Sequence, residues 1–196
     1  MMQYVPQVVP TSRPVVFWLI SAATVLFLVV LIFTAPVAAA GGHPVWAEVI
    51  YRGFGIFCHQ RPDRSYFIEG HKFAVCSRCT GLYGSFALTL LLYPLIRSLR
   101  NNIAPPRIYL ILAAIPLAID FSLTFFGIWE NTHTSRLLTG ALLGSAAVFY
   151  VMPGIVDLSL RGWRASEATK PTTFTLTSPE RIAAAPSDYS APERRI

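Results

Sequence analysis

Cysteine, histidine and arginine are concentrated in one short segment of the sequence, CHQRPDRSYFIEGHKFAVCSRCTGLYG. All three cysteines and two of the four histidines of the chain lie in it, directly before a long apolar stretch. Cys76 and Cys79 have the spacing Cys-x-x-Cys, which brings two sulfurs within reach of one metal ion or of each other. Thiolate and imidazole are ligands that tetrahedral zinc favours. The segment therefore predicts a zinc site formed by Cys58, His59, Cys76 and Cys79.

The same cysteines have other uses, which the sequence leaves open. His71 is an alternative fourth ligand for the metal. Cys76 and Cys79 would form a redox dithiol if a helix begins near them, because a helix N-terminus lowers the pKa of a thiol. Cys58 would then be a resolving or free thiol. A structural disulfide with one cysteine left over is the third alternative.

Charged residues near the apolar stretches form a second candidate group. Asp120 lies inside an apolar stretch, where an ionisable side chain costs about 2.5–3.5 kcal/mol on insertion scales and usually has a partner. We expect an ion pair with Arg78 or Arg136, or a functional acid. Guanidinium groups bind phosphate and carboxylate through paired hydrogen bonds, although arginines also anchor helix ends in the head-group layer. The anion-binding candidates are Arg61, Arg64, Arg78 and Arg136, and the catalytic candidates are Asp120, Arg64, Arg78 and Arg136.

The composition predicts a membrane protein. Of the 196 residues 54% are hydrophobic and only 13% are charged, whereas soluble domains have roughly 25% charged residues. Four stretches have the ~17–25 apolar residues that a membrane-spanning helix needs. The predicted spans are residues 15–40, 79–96, 108–129 and 137–156.

The remaining segments complete the predicted organisation. Residues 1–14 form an N-terminal tail, 15–164 the membrane domain with a Cys/His loop at 41–78, and 165–196 a disordered tail rich in Pro, Ser, Thr and Ala. Within the loop, 45–57 has the pattern of an amphipathic helix, suited to the membrane interface or to packing on the other helices. The first span also imitates a signal peptide with Ala38-Ala39-Ala40 as cleavage site, but its apolar run exceeds the usual ~7–15 residues, which favours a retained anchor.

These elements predict an all-α bundle of about four transmembrane helices plus an interfacial helix. In an up-and-down bundle the first and third connections share one face, so the cysteine segment should meet residues of the third connection there: Glu130, Asn131, His133 and Arg136. Glycine pairs four residues apart allow membrane helices to approach closely, and Gly140 with Gly144 has this spacing. Basic residues are divided equally between the two faces, six on each. We favour cytoplasmic termini because the arginines near the cysteines also suit a binding role.

Four motifs together resemble one family of prokaryotic membrane proteins. CHQRPDRS, CSRCTGLYG, the intramembrane PLAID and RLLTGALLG are similar to the pattern of the family named domain of unknown function 2085. The resemblance covers roughly residues 47–153. It implies a membrane fold and assigns no activity. The matching site residues are Cys58, His59, Arg64, Cys76, Arg78, Cys79, Asp120 and Arg136.

The expected function is a metal-stabilised membrane protein that binds an anionic lipid or small anion, whether or not it is an enzyme. A membrane thiol-disulfide oxidoreductase and a small transporter subunit are the alternatives. We expect zinc as cofactor. Expected partners are the lipid bilayer, an anionic lipid or small anion and a second copy of the chain, with no nucleic acid. The expected location is the prokaryotic inner or plasma membrane.

Overall fold

The apolar stretches form long helices in the computed structural model of the protein. The structure describes residues 12–101 and 103–168, with side chains for 13–101 and 103–158. In this part of the chain the elements are α1 (Ser12–Ala40), α2 (Pro44–Gly55), a short 3-10 helix (Pro62–Arg64), β1 (Phe67–Ile68), β2 (His71–Lys72), α3 (Ser77–Ile96), α4 (Ile108–Phe125) and α5 (His133–Ala168). The predicted tails at 1–14 and 165–196 lie mostly outside the described residues, and their inner ends, 12–14 and 165–168, belong to α1 and α5.

Four of these helices are long and apolar enough to cross a membrane. They cover Arg13–Ala40, Ser77–Ile96, Ile108–Phe125 and His133–Leu158. Many large apolar side chains on their outer faces are exposed, among them Phe27, Leu88 and Ile111. Such faces suit lipid, which does not penalise exposed apolar surface as water does. The all-α membrane bundle is confirmed.

Several boundaries differ from the prediction: the first span begins at Arg13 and the fourth covers His133–Leu158, and the third and second spans differ as follows. The third span ends at Phe125 instead of residue 129, because Gly127 adopts a left-handed conformation with φ 68°. The amide of Ile128 then donates to the Leu123 carbonyl at 3.0 Å, which closes the helix. The second span begins at Ser77, two residues earlier than predicted, so Cys79 lies within the first turn of α3.

The connection between α1 and α3 is more ordered than a loop. Helix α2 exposes the apolar residues Val45, Trp46 and Val49, as an interfacial helix should, while Arg52 pairs with Glu48 on its polar face. Strands β1 and β2 form a hairpin that the sequence analysis did not predict. Its two-residue turn at Glu69 and Gly70 has positive φ at both positions, which matches the twist of a tight hairpin.

Helix α1 contributes to both hydrophobic cores. One core, far from the cysteines, joins Ala22 of α1 to Leu90 and Met152 of α3 and α5. The other joins Ile32 and Ala35 of α1 to buried residues of the connection, including Cys58 itself; its remaining members are Phe54, Phe73, Ala74 and Val75. The second core therefore packs directly against the segment that carries the cysteines.

Candidate functional site

The three cysteines form one group, here called the thiol cluster. The sulfurs of Cys58, Cys76 and Cys79 all lie within 4.8 Å of one another, and all three are free thiols. Cys58 is buried, and the amide of Cys76 donates a hydrogen bond to its sulfur at 3.2 Å. Hydrogen bonds from the Cys58 and Cys79 thiols lower the pKa of the Cys76 thiol, which favours the metal-binding thiolate.

The chain holds Cys58 in position through the turn that follows α2. The Cys58 amide donates to the Phe54 carbonyl at 2.9 Å, and the backbone then turns at Gln60, which has φ 47°. The Gln60 amide side chain donates to the Tyr51 carbonyl at 2.6 Å, and Lys72 of the hairpin donates to the Gln60 carbonyl at 2.9 Å. The hairpin and α2 together fix the loop that carries Cys58 against the start of α3.

The two histidines of this segment lie apart from the sulfurs. His59 follows Cys58, but its side chain is exposed, and His71 is exposed on the hairpin. Within the described part of the chain, the group with metal-ligand spacing contains the three cysteines and neither of these histidines.

Asp120 is paired with Arg78, one of the two partners expected. Its carboxylate Oδ2 accepts hydrogen bonds from Arg78 Nη2 and, at 2.7 Å, from Asn131 Nδ2. Asn131 Oδ1 in turn accepts from Arg136 Nε at 2.6 Å. Arg136 is only 9% exposed. Among the described residues, the ion pair of Asp120 is with Arg78 and not with Arg136. Asn131 therefore links the second arginine to the acid.

Arg64 approaches this group from the connection. The Ser77 hydroxyl donates to the Arg64 carbonyl at 3.0 Å and lies 2.7 Å from His133 Nδ1. Ser77 therefore joins the Arg64 segment of the connection to the first residue of α5. The charges of Arg64 and Arg78 repel that of Arg136, which Asp120 attracts. We use the name arginine network for five residues of this region: Arg64, Arg78, Asp120, Asn131 and Arg136.

The fourth arginine of the predicted anion site lies outside this network. Arg61 is exposed and pairs with Asp63 at 3.1 Å. The hydrogen bond from Arg61 also lowers the pKa of Asp63. Asp63 lies between Arg61 and Arg64, whose Nε is 3.4 Å from its carboxylate.

Sequence reasoning placed Asn131 and His133 on the face of the cysteine segment without assigning them a role in the site, and it did not identify Ser77. Ser77 lies between the two cysteines of Cys-x-x-Cys, and the other two lie in the short connection before Arg136. The signal that could have found them is polarity at the ends of two spans that share a face. It was weak, because polar residues are common at helix ends.

The close approach of α3 and α5 brings the thiol cluster and the arginine network together. A side chain at Gly81 would overlap the Leu137 carbonyl, and one at Gly140 would overlap the Arg78 carbonyl. A side chain at Gly144 would overlap the Leu82 carbonyl. The helices are therefore in backbone contact, as the glycine spacing predicted. Arg78 and Cys79, neighbours in the first turn of α3, thus lie beside the start of α5.

Fold and site together define a polytopic membrane protein that gathers thiols, arginines and an intramembrane acid at one end of its bundle. The chain belongs to the family described as "Predicted membrane protein (DUF2085)", whose sequence model matches residues 58–150. The matched region contains the thiol cluster and the arginine network. The predicted resemblance is confirmed.

Two archaeal relatives are similar over most of their own length. An uncharacterised protein of Methanocaldococcus jannaschii is 37% identical over 142 residues, which are 70% of this chain and 91% of the relative. An uncharacterised protein of Methanothermobacter thermautotrophicus is 35% identical over 106 residues, 53% of this chain and 93% of the relative. No solved structure matches the chain with significance.

Proposed function

We propose that the protein is a membrane-embedded metal protein whose thiol cluster binds one zinc ion. The observation that supports this most directly is the mutual approach of three sulfurs, within 4.8 Å, from two separate segments of the chain. Tetrahedral zinc with Zn–S bonds of about 2.3 Å holds its sulfurs about 3.8 Å apart. A contraction of roughly 1 Å or less would bring all three sulfurs to this spacing.

The fourth ligand comes from outside the three cysteines. His59 and His71 are exposed and lie apart from the sulfurs. A solvent molecule or a substrate atom would complete the coordination, as in zinc sites with three protein ligands. Such a site would both stabilise the connection between α1 and α3 and bind a ligand at the metal.

Thiol-disulfide exchange is the second candidate, and one observation favours it. Cys76 caps α3 and Cys79 lies in its first turn, where the helix dipole stabilises a thiolate. In that case Cys76 and Cys79 would cycle between dithiol and disulfide, and Cys58 would bind no metal. A transporter role is less well supported, because Arg78 and Asn131 already engage the carboxylate of Asp120.

We further propose the cell membrane as its location. Four helices of sufficient length and the archaeal relatives support this proposal.

Metal analysis of the detergent-purified full chain tests the zinc proposal. Wild-type protein should contain about one zinc per chain, and Cys76→Ser should lose it together with thermal stability, because structural metal binding contributes to folding. The matched controls His59→Ala and His71→Ala should keep the metal. If His59→Ala loses the metal as Cys76→Ser does, His59 is the fourth ligand and the predicted Cys3His set applies.

The redox alternative predicts different results in the same experiment. Wild-type protein would be free of metal and would contain a Cys76–Cys79 disulfide that cycles with a mild reductant. Cys76→Ser would then abolish the disulfide and leave the thermal midpoint nearly unchanged. That combination would refute the zinc proposal.

A further inference from the structure

We propose that Arg64, Arg78 and Arg136 form a binding site for a phosphate-type oxyanion on the side of α3 that faces α4 and α5. This site is separate from the thiol cluster, and it does not rest on the zinc proposal. It follows from the charge balance, the free hydrogen-bond donors and the position of the arginine network.

The arginine network carries more positive than negative charge. Four arginines, Arg61, Arg64, Arg78 and Arg136, share two acids, Asp63 and Asp120, which leaves two positive charges uncompensated. Asp63, at the exposed rim, is shared between Arg61 at 3.1 Å and Arg64 at 3.4 Å. Buried charge is costly unless it is paired. The network therefore lacks negative charge that a bound dianion would supply.

Two buried donors of the network point to the same conclusion. Arg64 Nε and Arg78 Nε are buried and form no hydrogen bond with the described residues, although the Asp63 carboxylate lies 3.4 Å from Arg64 Nε. Asp120 accepts from Arg78 Nη2 and Asn131 through its Oδ2, and these contacts leave Arg78 Nε without a partner. Buried donors are nearly always satisfied in native proteins, and a ligand is one way to satisfy them.

The surrounding backbone adds to the attraction for an anion. Ser77 and His133, in contact with each other, are the first residues of α3 and α5. Both helices therefore direct the positive ends of their dipoles toward this place. The planar guanidinium fork matches the oxygens of a tetrahedral phosphate. Free phosphate and the phosphomonoester of a lipid head group share this chemistry.

Binding measurements with two probes test the site and show whether its ligand is a small anion or a lipid head group. The full chain, purified in an uncharged detergent, is titrated with inorganic phosphate and with short-chain phosphatidic acid at constant ionic strength. We expect saturable binding of at least one probe. Arg64→Ala should weaken it about tenfold or more, because a charge-assisted contact is lost. Arg64→Lys should recover only part of the affinity, since lysine lacks the planar fork.

Arg52→Ala is the matched control, because Arg52 forms an exposed ion pair at the same end of the bundle. It should change the affinity less than about twofold. Binding of both probes indicates a small-anion site, and binding of phosphatidic acid alone indicates a lipid head-group site. If neither probe binds, or if Arg52→Ala and Arg64→Ala weaken binding equally, the proposal is wrong. Zinc content is measured in every variant, so loss of the metal is distinguished from loss of the anion site.

Discussion

Residue types and their spacing predicted which residues form the site better than they predicted which side chains pair with each other. The spacing of Cys76 and Cys79 gave two members of the thiol cluster, and the charge of Asp120 required a partner. Sequence alone could not choose between Arg78 and Arg136, because the choice depends on how α3, α4 and α5 are rotated about their axes. Nor could it show that His59, adjacent to Cys58 in the chain, has a side chain that lies away from the sulfurs.

The ion pair of Asp120 gives the first prediction, at the scale of the residue. Asp120→Asn should lower the free energy of unfolding by about 3–5 kcal/mol, because Arg78 would remain buried without its counter-charge. The side chains are 9% exposed for Asp120 and 20% for Arg78, so solvent screens the pair little. Thermal or denaturant unfolding in detergent measures the change.

A double-mutant cycle identifies the partner. Adding Arg78→Gln to Asp120→Asn should recover part of the lost stability, whereas adding Arg136→Gln should recover less, since Arg136 contacts Asn131. Greater recovery with Arg136→Gln would contradict the observed pairing.

At the scale of the elements, the length of the apolar runs predicted the four spans, but no sequence pattern predicted the two short strands. The four spans follow from the length of their apolar runs and α2 from its helical spacing of apolar residues, which are the signals that a sequence carries most clearly. The hairpin has two residues per strand, too few for an alternating pattern. The end of α4 depends on the conformation of Gly127, although the apolar run continues past it to Trp129.

The contact between α3 and α5 gives the second prediction. Gly81→Ala should destabilise the bundle by at least about 1–3 kcal/mol, because the new methyl group would overlap the Leu137 carbonyl and force the helices apart. Gly84→Ala, one turn later in the same helix, is the matched control, because nothing lies within 4 Å of the added carbon. It should be neutral or stabilising by up to about 1 kcal/mol. Equal destabilisation by both substitutions would show that helix propensity, and not backbone contact, controls the effect.

At the scale of the whole molecule, α1 packs against both hydrophobic cores. Ile32 and Ala35 are almost fully buried against the segment that carries Cys58. Cleavage after Ala40 would remove these residues and leave one side of the second core exposed. That α1 is retained as an anchor stays a prediction.

The orientation of the molecule is the last prediction, and the arginine network bears on it. Six basic residues lie near each membrane face, but Arg64, Arg78 and Arg136 on the face of the cysteines belong to the arginine network. Without these three arginines, the face that holds the chain termini has six basic residues and the face that holds the cysteines has three. The positive-inside rule therefore favours cytoplasmic termini. In intact cells, after metal removal and reduction, a membrane-impermeant thiol reagent should label Cys76 or Cys79. Ser98→Cys, in the exposed connection after α3, should add label only after lysis. Labelling of the native cysteines only after lysis would place the thiol cluster in the cytoplasm and reverse the orientation.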